Sequence, residues 1–262
     1  MAKAKQVEVE VTELHTRKLN CLVVGETPLI MNRFSEKARQ EMLMPAPKKN
    51  RAEKATSLKH DPIAEFRSGM YMSRSENYPT AVHLPTNCFH KAIGQAAVDM
   101  PGATRAAIMR LTGITSHTVH FYGLPSMFCR MVRSSGMNSV PDMRTRPIFR
   151  EWACALEIQI VSNLVKESQV LNLLAAAGTI VGIGDWRPQK GGSFGRFRLV
   201  TADDADWLRI TQHQGREAQI GAIETPVSFD DETDELMSWF FDAAAERELR
   251  PTLPGSYAIA AE

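Results

Sequence analysis

Apolar and polar positions fall into short segments of alternating or helical period, with no long uniform run. Val7-Glu8-Val9-Glu10-Val11 alternates strictly, which predicts a half-buried strand. Residues 19–24 predict a second strand ending at Gly25, closed by Thr27-Pro28-Leu29-Ile30-Met31. Ser35 has the chemistry of an N-cap for a helix over 36–43 that stops at Pro45. A strand over 80–84 leads through Pro85-Thr86-Asn87 into a helix reaching about Val98. Segments 115–121 and 127–133 flank a Gly-Leu-Pro-Ser turn and predict a hairpin. An arginine-rich loop is expected over 138–150, a long strand over 152–161, and a helix over 166–177 with Gly178 as C-cap. Residues 196–200 predict the last core strand.

Without insertions, the order is strand, helix, strands, helix, strand. This predicts an α+β fold with an RRM-like, ferredoxin-like core whose two helices share one face of a sheet. The other face is expected to stay open, as in sheets that bind single-stranded RNA. Residues 1–200 form this core, interrupted at about 46–80 by a basic insertion. There Pro45, Pro47, Pro62 and Pro79 break the periodicity, and Lys48, Lys49, Arg51, Lys54 and Lys59 crowd together. The stretch reads as a flexible or partly helical basic finger, or as a lysine-rich linker. Residues 201–262 form an acidic extension that packs on the core or on a neighbouring subunit. Within it, Leu236, Trp239, Phe240 and Phe241 follow Asp230-Asp231-Glu232 at helical spacing, as a core stripe or a partner anchor.

Charge sharpens this division. The net charge is only +1, yet residues from 201 onward carry 4 Lys/Arg against 14 Asp/Glu, leaving 27 basic against 16 acidic in residues 1–200. A basic body suits a polyanion partner. The 4 cysteines (Cys21, Cys88, Cys129, Cys154) form no CxxC pair and read as reduced thiols of a cytoplasmic protein. No run resembles a signal peptide or a membrane span.

The glycine-rich stretch Gly182-Ile183-Gly184 through Gly191-Gly192-Ser193-Phe194-Gly195 carries the most chemistry. Glycine lets main-chain amides face a phosphate, and Arg187, Lys190 and Arg196 supply countercharge. Trp186 and Phe194 are candidates for base stacking. The spacing fits neither a dinucleotide fingerprint nor a nucleoside triphosphate loop. The same glycines also suit a long turn whose geometry alone requires them. The helix start after Pro85 offers free amides to phosphate, with His90 and Lys91 in its first turn. Simple capping by Thr86 or Asn87 is the alternative. Between 105 and 150 stand seven arginines (105, 110, 130, 133, 144, 146, 150) and one acid, Asp142. Of these, Arg130, Arg133, Arg144 and Arg146 are candidate nucleic-acid contacts, a solvated face being the alternative. There is no HExxH, GxSxG or carboxylate pair, and the 7 histidines are scattered, so no cofactor or metal is expected. A lone histidine acting in metal-free RNA cleavage, with Asp61 or Asp142, is the enzymatic alternative.

Three segments in this order resemble the RAMP superfamily, the repeat-associated RNA-binding proteins of CRISPR systems. They are the strand ending Thr27-Pro28-Leu29-Ile30, the Leu84-Pro85-Thr86-Asn87-Cys88-Phe89-His90-Lys91 element, and Gly182 to Phe197. The chain looks most like the subunit that polymerises along a guide RNA. The resemblance implies a non-catalytic binder of single-stranded RNA, or single-stranded DNA, that self-associates or joins other effector subunits. It implies contacts at Lys91, Arg187, Lys190, Gly191, Gly192 and Arg196, and an insertion touching RNA or the next subunit. The Thr-Asn-Cys-Phe stretch and the acidic extension depart from the family pattern, which leaves room for a stand-alone or phage-borne relative.

Overall fold

In the strand Thr16–Gly25, Leu19, Cys21 and Val23 are buried while Lys18 and Asn20 are exposed, and this alternation decides which side of the sheet becomes core. The computed structural model describes residues 13–34, 36–44, 58–73, 75–133 and 140–255. The strand expected over 7–11, the Ser35 cap, and Lys48, Lys49, Arg51 and Lys54 lie outside them.

Along the chain come β1 (Thr16–Gly25), β2 (Leu29–Ile30), α1 (Glu36–Leu43), α2 (Pro62–Ser68), β3 (His83–Pro85), α3 (Asn87–Asp99) and α4 (Arg105–Leu111). Then follow β4 (Thr112–Ile114), β5 (Thr118–Tyr122), β6 (Pro125–Arg133), β7 (Pro141–Phe149), β8 (Ala153–Val161), α5 (Glu167–Ala176) and β9 (Phe197–Val200). The last helices are α6 (Ala205–His213), α7 (Arg216–Glu224) and α8 (Asp231–Glu246). No helix among the described residues is long and apolar enough to cross a membrane.

The main sheet runs β3-β5-β8-β1-β9, with β4 also paired to β8. β8 lies between β1 and β5 and is antiparallel to both, and β9 closes the far edge. This is the split βαβ arrangement of a ferredoxin-like α+β fold. α3 and α5 cover one face through Phe89, Ile93, Val170 and Leu174, which join Leu19, Cys21, Val23 and Ile158 in one core. Phe89 meets Phe197 of β9 edge-on at 5.5 Å.

Four expectations need correction. The opposite face of the sheet is not left open, because Ile210 of α6 packs there on Val24 and Ala153. Further along, that face carries the Lys18–Glu157 ion pair (2.9 Å). Segments 115–121 and 127–133 do not pair with each other. β5 joins β8 and β3, whereas β6 pairs along its length with β7 in a second sheet ordered β2-β7-β6. The expected arginine loop is β7 itself: Thr145, Pro147 and Phe149 are buried at alternate positions between the arginines, a strand pattern masked by its proline. Finally, over 58–73 and 75–80 the partly helical alternative holds rather than the flexible finger or linker. Asp61 caps α2 by accepting the Ala64 N–H (3.1 Å), and Ile63, Phe66 and Met70 are fully buried.

The acidic extension packs on this same core. Gln219 of α7 is fully buried and bonds backbone groups of four residues, and the buried Arg67 donates to the carbonyls of Ile223 and Glu224 at the end of α7.

Candidate functional site

α5 does not stop at Gly178. It continues through a π-helical turn, Ala177–Val181, and ends at Gly182. Gly178 is required for a different reason: a Cβ there would stand 2.0 Å from the Phe197 carbonyl oxygen. The chain then crosses β2, where Asp185 N donates to Ile30 O (3.0 Å) and Gly195 N to Pro28 O (2.8 Å).

The amides of this loop are largely spent inside it. Gly191 N donates to Pro188 O, Gly192 N to Arg187 O, Phe194 N to Trp186 O and Ile183 N to Gly195 O, all within 3.1 Å. Gly191 sits at φ 77°, and a Cβ on Gly192 would fall 1.7 Å from the Trp186 carbonyl oxygen. These two glycines therefore serve the turn's geometry, which corrects the expectation that their bare N–H groups face a phosphate. What the loop offers a ligand is its side chains.

Those side chains help to line a cleft of about 330 Å³ between the loop's entry and the first turns of α3. Asn87, Lys91 and Gln95 reach it from one stripe of α3, Arg105 from α4 and Arg187 from the loop. The lining holds no Asp or Glu. Lys91 and Arg105 make no ion pair among the described residues, and the Arg187 guanidinium is fixed by bonds to Gly184 O and Gln189 Oε1 (both 3.1 Å). No side chain caps the start of α3, because the Thr86 hydroxyl donates to Ser116 O (2.6 Å) instead. Three cations thus face one cavity beside the positive end of a 13-residue helix. Burial pushes the thiol of Cys88, also in the lining, up to about 12, despite Arg187 and Lys91 nearby, which disfavours the thiolate.

The remaining candidates divide. Lys190 and Arg196 are exposed and without an ion-pair partner among the described residues. Arg133 is exposed at the end of β6, whereas half-buried His90 does not line the cleft and its buried Nε2 finds no partner among the described residues. Three of the seven arginines of the acid-poor series have acidic partners in space. Arg130 binds Asp230 (2.6 Å) and Glu232 (3.2 Å), Arg146 binds Asp185 (2.9 Å), and Arg144 binds Asp142 (3.0 Å) and Glu65 (3.4 Å). Most of these carboxylates come from distant sequence, so the local composition hid them. The Arg146–Asp185 pair also fastens the glycine loop to β7.

Trp186 holds a left-handed backbone (φ 52°), uncommon for a bulky residue. Its indole, 36% exposed, meets Phe128 edge-on at 5.8 Å, and Phe194 lies 6.1 Å from it. Of the acids considered for catalysis, Asp61 is consumed by its cap and by Thr252 (2.8 and 2.9 Å). Burial pushes Asp142 up, but hydrogen bonds from Lys59 and His60 outweigh it and hold the carboxyl below its usual range. No cluster of three metal-ligating side chains occurs among the described residues. Arg105 is the cleft cation that sequence reasoning did not single out; its only signal was membership in the acid-poor arginine series.

No family model matches the chain, and no curated protein sequence matches it. Among solved structures, the crystal structure of Cmr6 from Pyrococcus furiosus aligns over 71% of this chain and 98% of its own, at 6% identity and a TM-score of 0.35.

Proposed function

We propose that this chain binds single-stranded nucleic acid, RNA in the first instance, by its sugar–phosphate backbone. The observation that carries the reading is the convergence of Lys91, Arg105 and Arg187 on an acid-free cleft at an uncapped helix start. Lys190 and Arg196 extend the same charge along the loop, and Trp186 and Phe194 provide rings for stacking. Like charges clustered on one cavity without acids attract anions, so the site favours a polyanion over a neutral substrate. The ferredoxin-like sheet order agrees with the RAMP resemblance, and membership of that superfamily, with copies aligned along one strand, is part of the proposal.

The test is binding of a fluorescent single strand across a salt series. If all five cations meet phosphates, affinity falls with a log–log slope of about −3.5, roughly a hundredfold between about 50 and 200 mM salt. Binding indifferent to salt, or absent at the low end, refutes it. Sedimentation on strands of increasing length tests alignment: bound copies should rise in steps with length.

A further inference from the structure

The cleft holds more positive charge than a single link of a nucleic-acid backbone can answer. Lys91, Arg105 and Arg187 converge on about 330 Å³, with no Asp or Glu in the lining. Main-chain donors of lining residues add to them. The N–H groups of Asn87 and Cys88, in the first turn of α3, and that of Gly184 find no acceptor among the described residues. The next two amides of α3 are spent, since Phe89 N and His90 N both donate to Thr86 O (3.1 and 3.2 Å). The Arg187 guanidinium is held in place by Gly184 O and Gln189 Oε1, so its remaining donors are fixed before any ligand arrives.

We infer that the cleft is a seat for the terminal phosphate monoester of a strand. The inference rests on the reading that the chain binds single-stranded nucleic acid, and it names the part of the strand this site takes. An internal phosphodiester brings a single negative charge and leaves excess positive charge in the cavity. A terminal monoester brings about 1.5 to 2 negative charges near pH 7 and three strong acceptor oxygens, which suits three cations and unspent amides better. The volume, near the lower end of the range of about 300–1,000 Å³ for small-ligand sites, suits one terminal nucleotide. Where copies line up along one strand, only the copy at a phosphorylated end meets a monoester, and the others hold diesters. That end is therefore where the first copy loads.

The test uses an internally labelled strand of about 8 nucleotides, short enough for one copy of the chain. Four versions share one sequence: a 5′-phosphate, a 3′-phosphate, a 5′-phosphate methylated to a diester, and hydroxyls at both ends. We expect a phosphate at one end to tighten binding about tenfold or more over hydroxyl ends, and methylation to remove most of that gain. The 5′ and 3′ versions identify which end the cleft takes. K91Q/R105Q, with thermal unfolding unaltered, should bind phosphorylated and hydroxyl-ended strands alike. Equal binding of all four strands by the parent, or a gain that survives in K91Q/R105Q, overturns the inference and leaves backbone binding standing. So does a mononucleotide monophosphate that binds as tightly as the phosphorylated strand, since the occupant is then a free nucleotide. Absence of binding by every strand refutes the underlying reading, and the inference falls with it.

Discussion

Replacing Gln219 with Met keeps the length of the side chain and most of its volume while deleting its amide. In the fold, Gln219 Oε1 accepts Ala81 N (2.8 Å) and Val82 N (3.1 Å), and its Nε2 donates to Phe121 O (2.7 Å) and Gly123 O (3.0 Å). Every partner is backbone, and the side chain itself is 0% exposed, so water cannot replace the lost bonds. At about 1 kcal/mol net for each bond, with stranded buried groups keeping the sum from shrinking, the loss is about 4 kcal/mol. That is a large share of a typical total stability of about 5–15 kcal/mol. With a urea m-value near 3 kcal/mol/M, the midpoint should fall by roughly 1–2 M at unchanged m. Gln219→Glu should fare no better, because a carboxylate keeps the acceptor but cannot donate and brings charge into the core. Unfolding in urea, followed by far-ultraviolet circular dichroism and tryptophan emission, measures both. A midpoint shift below about 0.3 M, or a separate transition for residues 201–250, would refute the claim that α7 is stitched into the core.

Other consequences are open to direct measurement. Gly192→Ala should disrupt the loop, since its Cβ meets the Trp186 carbonyl at 1.7 Å, whereas Gly191→Ala meets nothing and should cost only the left-handed strain, about 1 kcal/mol; thermal unfolding separates the two. Burial lowers the pKa of His83 and of its cross-strand partner His120, Arg33 and His120 adding to the effect at His83. The unfolded chain therefore binds more protons, so this contribution to stability is complete above about pH 6.5 and is lost as pH falls through the lowered folded values; urea midpoints at several pH values should show the decline, and H83Q/H120Q should flatten it. Trp186→Ala should weaken binding of a single strand by about 1–3 kcal/mol with little change in salt slope, as loss of a stacking ring requires.

Sequence pattern revealed the elements whose period was clean. β1, α3, β8 and β9 were legible because Leu19, Cys21 and Val23, or Phe89 and Ile93, repeat at the period of the element they occupy. Three things were not legible. Pro147 concealed the strand alternation of β7, so two sheets read as one hairpin and a loop. Prolines around 58–80 concealed Ile63, Phe66 and Met70, whose burial depends on contacts far along the chain. The charge asymmetry was real in sequence but partly cancelled in space, because Arg130 meets Asp230 and Arg146 meets Asp185 only after folding. At the candidate site, the glycines pointed to the loop for a reason the fold does not use: their amides are taken up by the turn, and the chemistry that faces the cleft lies in Lys91, Arg105 and Arg187.

The central claim rests on cations such as Lys91 and Arg105 that make no ion pair among the described residues, and K91Q/R105Q addresses it most directly. Neither side chain supports the fold through an ion pair among the described residues, so thermal unfolding should match the parent. The log–log salt slope for a single strand should become shallower by about 1.4, two phosphate contacts at about 0.7 each. An unchanged slope in a stably folded variant would show that the strand, if bound at all, does not lie in this cleft.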